Sequence, residues 1–122
     1  MKMMLTLRQA YIAAYDFLSP FYDKTKDDKL LDLLSCMNPF LWKDGGSADP
    51  ATYEDWLDSA KKITNKEQLN AKQAFQIMLE FLRFHKNEFN YAPEWIITDL
   101  EKKTHNNEGW LRCVSKVIDE TT

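Results

Sequence analysis

The sequence predicts an all-α protein: a single domain over residues 1–122 of about six helices, arranged as two similar three-helix halves. Two echoes and one periodicity carry that reading. LTLRQAYIAAYDFL at residues 5–18 returns as LNAKQAFQIMLEFL at 69–82, with five of the fourteen positions identical. Glu-x-Trp-Leu at Glu54 returns at Glu108, with Lys62 and Lys116 each six residues beyond the tryptophan. Between these landmarks apolar residues recur at i, i+3, i+4 and i+7, the spacing of a helix with one buried face. The first half then covers residues 5–63 and the second 69–118.

Thr6 followed by Gln9 forms a capping box, with Leu5 placed to staple against Ala10, so the first helix starts near residue 7. Its apolar set is Leu7, Ala10, Tyr11, Ala14, Phe17, Leu18 and Phe21, and Pro20 is expected to kink or end it. A second, short helix follows Asp27 or Asp28, whose carboxylates suit a helix N-terminus, and carries Leu30, Leu31, Leu34 and Met37. NPFLWKDGGSADP, residues 38–50, reads as a loop with an Asp-Gly turn. Asp49 as N-cap and Pro50 at the first helical position then open a third helix that buries Tyr53, Trp56, Leu57 and Ala60.

Asn70 and Gln73 repeat the capping box before the fourth helix. That helix is apolar at Ala74, Phe75, Ile77, Met78, Leu79, Phe81, Leu82 and Phe84. Only the stripe Lys72, Gln76, Glu80, Arg83 and Asn87 is left for water, which makes it the central helix. Pro93 opens a short fifth helix with Ile96, Ile97 and Leu100, and the sixth carries Trp110, Leu111, Val114, Val117 and Ile118.

The offset between the halves is 64 at the first pair of helices, 66 at the second pair and 54 at the tryptophans. Leu34 to Trp56 is 22 residues, whereas Leu100 to Trp110 is 10, so the first half carries about twelve extra residues in its Pro/Gly/Asp-rich loop. Packing of duplicated apolar faces accounts for the repeat itself. It does not account for the loop, because helix connections in small domains usually run about 2 to 8 residues and longer ones tend to carry function.

Net charge of -3 and a pI near 5.4 argue against a nucleic-acid binder, which shows a basic patch, and favour a cationic partner. No apolar run reaches the roughly 18 residues of a membrane span. Arg8 and Gln9 interrupt the start before a signal-peptide core can form, so a cytoplasmic protein is expected. Cys36 and Cys113 lie far apart, without CxxC or Cys/His spacing, and read as reduced thiols.

Chemistry-bearing motifs are sparse. There is no H-E-x-x-H, Gly-rich phosphate loop or G-x-S-x-G. His85 and His105 read as surface or helix-end residues, not as ligands or general bases. Glu54 and Asp58 share a helical face at i, i+4, yet Glu80 lacks the Glu-x-x-His companion of a di-metal site; no metal and no cofactor is expected. Of four tryptophans, Trp56, Trp95 and Trp110 sit at core spacing and Trp42 lies in the loop.

DPATYEDWL at residues 49–57, preceded by Leu33, Leu34 and Met37 at a helix end and by the turn at Asp44 and Gly45, resembles small all-helical bacterial proteins. Some of these serve as immunity proteins of polymorphic toxin or contact-dependent growth inhibition loci. The similarity covers residues 5–63 best, and the second half lacks the Asp-Pro start, having Asn106 and Asn107 before Glu108. The resemblance implies a cytosolic protein without catalysis of its own that binds and neutralises a cognate toxin domain. The other readings are a helical adaptor or regulatory protein, and a metal-dependent enzyme built from Glu54, Asp58, His85 or His105.

The expected docking surface is local. From Trp42 to Asp58 the chain has Asp44, Asp49, Glu54, Asp55 and Asp58 against Lys43 alone, a net of -4. With Tyr53, Trp56 and Leu57 turned inward, Glu54, Asp55 and Asp58 should point outward. Trp42, Asp44, Glu54, Asp55 and Asp58 are therefore the expected contacts for a basic partner.

Overall fold

Six helices, together with two strands of three residues each, make up a computed structural model that describes residues 4–39 and 50–121. In order these are β1 (Met4–Thr6), α1 (Leu7–Thr25), α2 (Asp28–Met37), α3 (Pro50–Ile63), β2 (Gln68–Asn70), α4 (Ala71–Phe89), α5 (Glu94–Lys103) and α6 (Glu108–Thr121). The helical architecture expected from the periodicity is the one observed.

The strands were not expected. β1 and β2 pair antiparallel, Met4 with Asn70, Leu5 with Leu69 and Thr6 with Gln68, so the equivalent leucines of the halves face each other, both wholly buried. The strands exist because the two capping residues are extended: Thr6 at φ -77°, ψ 167° and Asn70 at φ -90°, ψ 172°. Each cap also closes its box. Thr6 Oγ1 accepts from Gln9 N at 3.1 Å and Asn70 Oδ1 from Gln73 N at 2.8 Å, while each glutamine side chain accepts from the cap's own N–H.

The parallels continue inward at the same offsets. Trp56 Nε1 donates to Leu7 O at 3.1 Å, and Trp110 Nε1 donates to Ala71 O at 2.9 Å. The Trp56 ring meets Tyr11 and Phe81, each at 5.4 Å and edge-on. The Trp110 ring meets Phe75 at 5.6 Å and Phe17 at 5.5 Å in the same fashion. Each tryptophan thus packs on one aromatic of its own half and one of the other. α1 and α4 even end alike, on Lys26 (φ 54°) and Asn90 (φ 57°) in the left-handed region, an unusual conformation for residues other than glycine.

The most extensive helix pairs are α1 with α6 and α3 with α4, so each long helix packs on the third helix of the opposite half. α4 buries Ala74, Phe75, Ile77, Met78, Leu79, Phe81 and Leu82, as a central helix should, while Lys72, Gln76 and Asn87 face water.

Four expectations change. α1 does not end at Pro20 but runs through it to Thr25: proline deletes one backbone donor, but Phe17, Leu18 and Phe21 keep packing on either side of it. Leu31 is exposed and Leu33 buried, because Leu30, Leu33, Leu34 and Met37 complete the i, i+3, i+4, i+7 stripe and Leu31 falls outside it. Trp95 is not in the core; it is 38% exposed and donates its indole N–H to Asp27 Oδ2 at 2.9 Å. His85 is not a surface residue. It is 2% exposed, four residues after Phe81 on the apolar face of α4.

Cys36 and Cys113 are not joined in a disulfide, and burial pushes the Cys113 thiol up to about 11. Among the described residues no helix is long and apolar enough to cross a membrane.

Candidate functional site

The expected docking surface divides in three. Trp42, Asp44 and the Asp49 cap lie outside the described residues. What is described is where that segment leaves and re-enters. Pro39 O accepts from Arg8 Nη2 at 2.9 Å, and the Arg8 guanidinium lies over the rings of Tyr11 (5.6 Å) and Tyr53 (5.3 Å). Tyr11 also donates its hydroxyl to Met37 O at 2.8 Å, so α1 pins the end of α2 through two side chains. In the sequence Arg8 only interrupts the apolar start and Tyr11 only joins the apolar set of the first helix. Their partners are backbone carbonyls about thirty residues away, which no local pattern reveals.

Glu54 and Asp58 stand as expected, exposed side by side on α3. Trp56 and Ala60 are buried and Tyr53 and Leu57 partly so, which turns Glu54 and Asp58 to water. Asp58 has Lys61 Nζ at 4.0 Å, but with the two side chains 73% and 79% exposed that pair does little to cancel its charge.

Asp55 departs from the expected surface. Its Oδ2 lies 3.4 Å from His85 Nε2, and its side chain is only 22% exposed. The reason is geometric: Asp55 precedes the buried Trp56 and sits on the α4-facing edge of α3, not on the outer face. The His85 ring it meets is surrounded by Phe81 at 4.5 Å, Phe84 and Phe89 at 5.4 Å each, and Tyr91, stacked at 6.3 Å. An imidazole so enclosed offers no face to a substrate; the Asp55 contact joins α3 to α4 in a largely buried setting, where a polar contact is felt more strongly than in water. The burial of His85 was legible in part, since Phe81, Leu82 and His85 follow helical spacing. Its partner was not.

Around this pair Phe89 is 51% exposed and stacks with Tyr91 at 5.6 Å. The acidic face of α3 therefore abuts an aromatic surface through Asp55 and His85. His105, also weighed as a ligand, lies in the turn before α6, and among the described residues no three His, Cys, Asp or Glu side chains come together as a metal-binding group.

The counterpart of the acidic face in the second half is informative. At offset 54, Glu54 and Asp58 correspond to Glu108 and Arg112. There the two side chains form an i, i+4 ion pair, with Arg112 Nη2 3.1 Å from Glu108 Oε2. One exposed helical position of the same architecture holds an ion pair, and its equivalent holds two like charges. Comparison of the chain with family models, with curated proteins and with solved structures finds no match.

Proposed function

We propose that this protein is a non-enzymatic binding module that captures a basic protein partner through the acidic face of α3, and that the partner is a cognate bacterial toxin domain neutralised in the cytoplasm. The observation that carries the reading is the contrast between Glu54/Asp58 and Glu108/Arg112. Two carboxylates at i, i+4 repel by roughly 0.2 to 0.5 kcal/mol, and the second half removes the same cost with one arginine. The fold has no use for the repulsion, whereas an incoming cationic surface does: complementary charge raises the association rate and makes binding salt-sensitive. Trp42 and Asp44 belong to the same proposed surface by their place in the chain. The toxin identity of the partner rests on the resemblance of residues 5–63, and the adaptor reading would use the same face for another basic protein.

The test is the double variant Glu54→Lys/Asp58→Lys, assayed against the proposed toxin partner. Its helicity and melting temperature should stay near those of the parent. Affinity should fall at least tenfold at low ionic strength, with the loss shrinking as salt rises toward a Debye length of about 8 Å. An unchanged association rate in that variant moves the site away from α3.

A further inference from the structure

A second comparison between the halves exposes a groove rather than a face. On α4, Glu80 is met by Arg83 at 3.2 Å, and Arg83 also reaches Glu101 at 3.2 Å. At offset 64 the equivalent acid on α1 is Asp16, and the position of Arg83 is held by Ser19. Ser19 cannot answer a carboxylate with charge; its hydroxyl donates back to Tyr15 O at 2.8 Å. Asp16 has no hydrogen bond or ion pair among the described residues.

The same comparison leads to a groove. Asp55 on α3 leans on His85; the equivalent positions are Gly109 on α6 and Phe21 on α1. Gly109 packs closely on Phe17, whose Cε1 would lie 3.3 Å from a Cβ placed there, and beside this contact is a groove of about 410 Å³ lined by Asp16, Phe17, Pro20, Phe21, Gly109 and Cys113 together with Lys103 and Asn107. That volume lies in the range of small-molecule sites. Phe21 already receives one ammonium, that of Lys103 at 4.9 Å from its ring, and Lys103 is itself met by Asp99 at 3.2 Å. Asp16 is the acid that lines the groove, and among the described residues no ion-pair contact holds it: Lys116 acts on it only at longer range.

We propose that this groove binds a small organic cation, an ammonium carried on an apolar or aromatic body, with Asp16 as counter-ion and Phe17 and Phe21 as the aromatic walls. The wall chemistry suits an ammonium because ring faces attract cations, most strongly when water is partly excluded. Cys113 contributes a protonated, apolar wall, its thiol held at about 11. Burial holds the Asp16 carboxyl above its ordinary range, Lys116 draws it back in part, and Glu120 adds repulsion. A bound cation reverses that balance, so affinity should weaken as acid protonates Asp16.

The probe is phenethylammonium, titrated into the full chain and followed by amide chemical shifts, with 2-phenylethanol as the uncharged counterpart. Saturable shifts centred on Phe17, Gly109 and Cys113 are expected, with the alcohol at least tenfold weaker. Asp16→Asn should weaken phenethylammonium at least tenfold. Ser19→Arg, which supplies the cation that the other half carries, should do the same from a partly exposed position outside the core, and the spectra report the fold of each variant directly. Glu54→Lys/Asp58→Lys should leave amine binding unchanged, which separates this site from the α3 face. Shifts that do not saturate, an alcohol that binds as well as the amine, or undiminished binding in well-folded Asp16→Asn would overturn the proposal.

Discussion

Asp16 shows how much a single residue's setting decides. Desolvation is the largest influence on its carboxyl and raises it above the ordinary aspartate range; Lys116 opposes this and Glu120 reinforces it. An acid whose pKa is higher folded than unfolded releases its proton more readily from the unfolded chain, so its ionisation weakens the fold as pH rises through the interval between the two values. Below both values it contributes nothing. Asp16→Asn should therefore raise the melting temperature at pH 7, modestly because a half-buried charge is partly screened, and the gain should vanish below about pH 3.8. Thermal melts at pH 7 and pH 3 measure this, and a variant less stable than the parent at pH 7 would mean that the Asp16 charge supports the fold. Asp27 is the opposite case. The indole N–H of Trp95, then the backbone N–H groups of Leu30 and Lys29, hold its carboxyl below the usual range, and this cap keeps its contribution until pH falls below the ordinary carboxylate value. The sequence marks Asp27 as a helix cap and Asp16 as a position inside a helix, but not the full setting of either carboxyl, because burial and Trp95 reach them from other elements.

At the scale of the element, α4 carries the strongest prediction. Its cap and narrow polar stripe were legible, since they depend only on helical spacing and on Asn70 and Gln73. Phe81 is wholly buried and touches the rings of Tyr11, Trp56 and His85. Phe81→Ala should cost about 3 to 5 kcal/mol, the usual range for emptying an aromatic site. Urea unfolding monitored by tryptophan fluorescence checks it, and a loss below about 1 kcal/mol would remove α4 from the centre. The strands escaped notice for a physical reason: three residues offer no alternation to read, and they pair because the two capping residues are extended and adjacent. Of the docking residues, the outward placement of Glu54 and Asp58 followed from the spacing of Trp56 and Ala60. Asp55 was misplaced because the same spacing leaves an edge position undecided until α4 and His85 stand beside it.

For the whole molecule, the pairing of α1 with α6 and of α3 with α4 means that neither half closes its own core. Trp56 lies against Phe81 and Trp110 against Phe17, and Leu5 pairs with Leu69, so the core of each half is completed by residues of the other. A chain of about 60 residues is marginal even with a complete core, because it buries only roughly 60% of its unfolded surface. A fragment ending at residue 64 would keep the Trp56 Nε1 bond to Leu7 yet expose the faces of α1 and α3 that α6 and α4 cover. That fragment and its complement, residues 65–122, should each show weak helicity and solvent-exposed tryptophan emission. Mixed at equal concentration they should regain helicity together with blue-shifted emission from Trp56 and Trp110, while the intact chain unfolds in one transition. A cooperative melt in either fragment alone would show that the halves are independent units and that their interlocked helices are packing partners only.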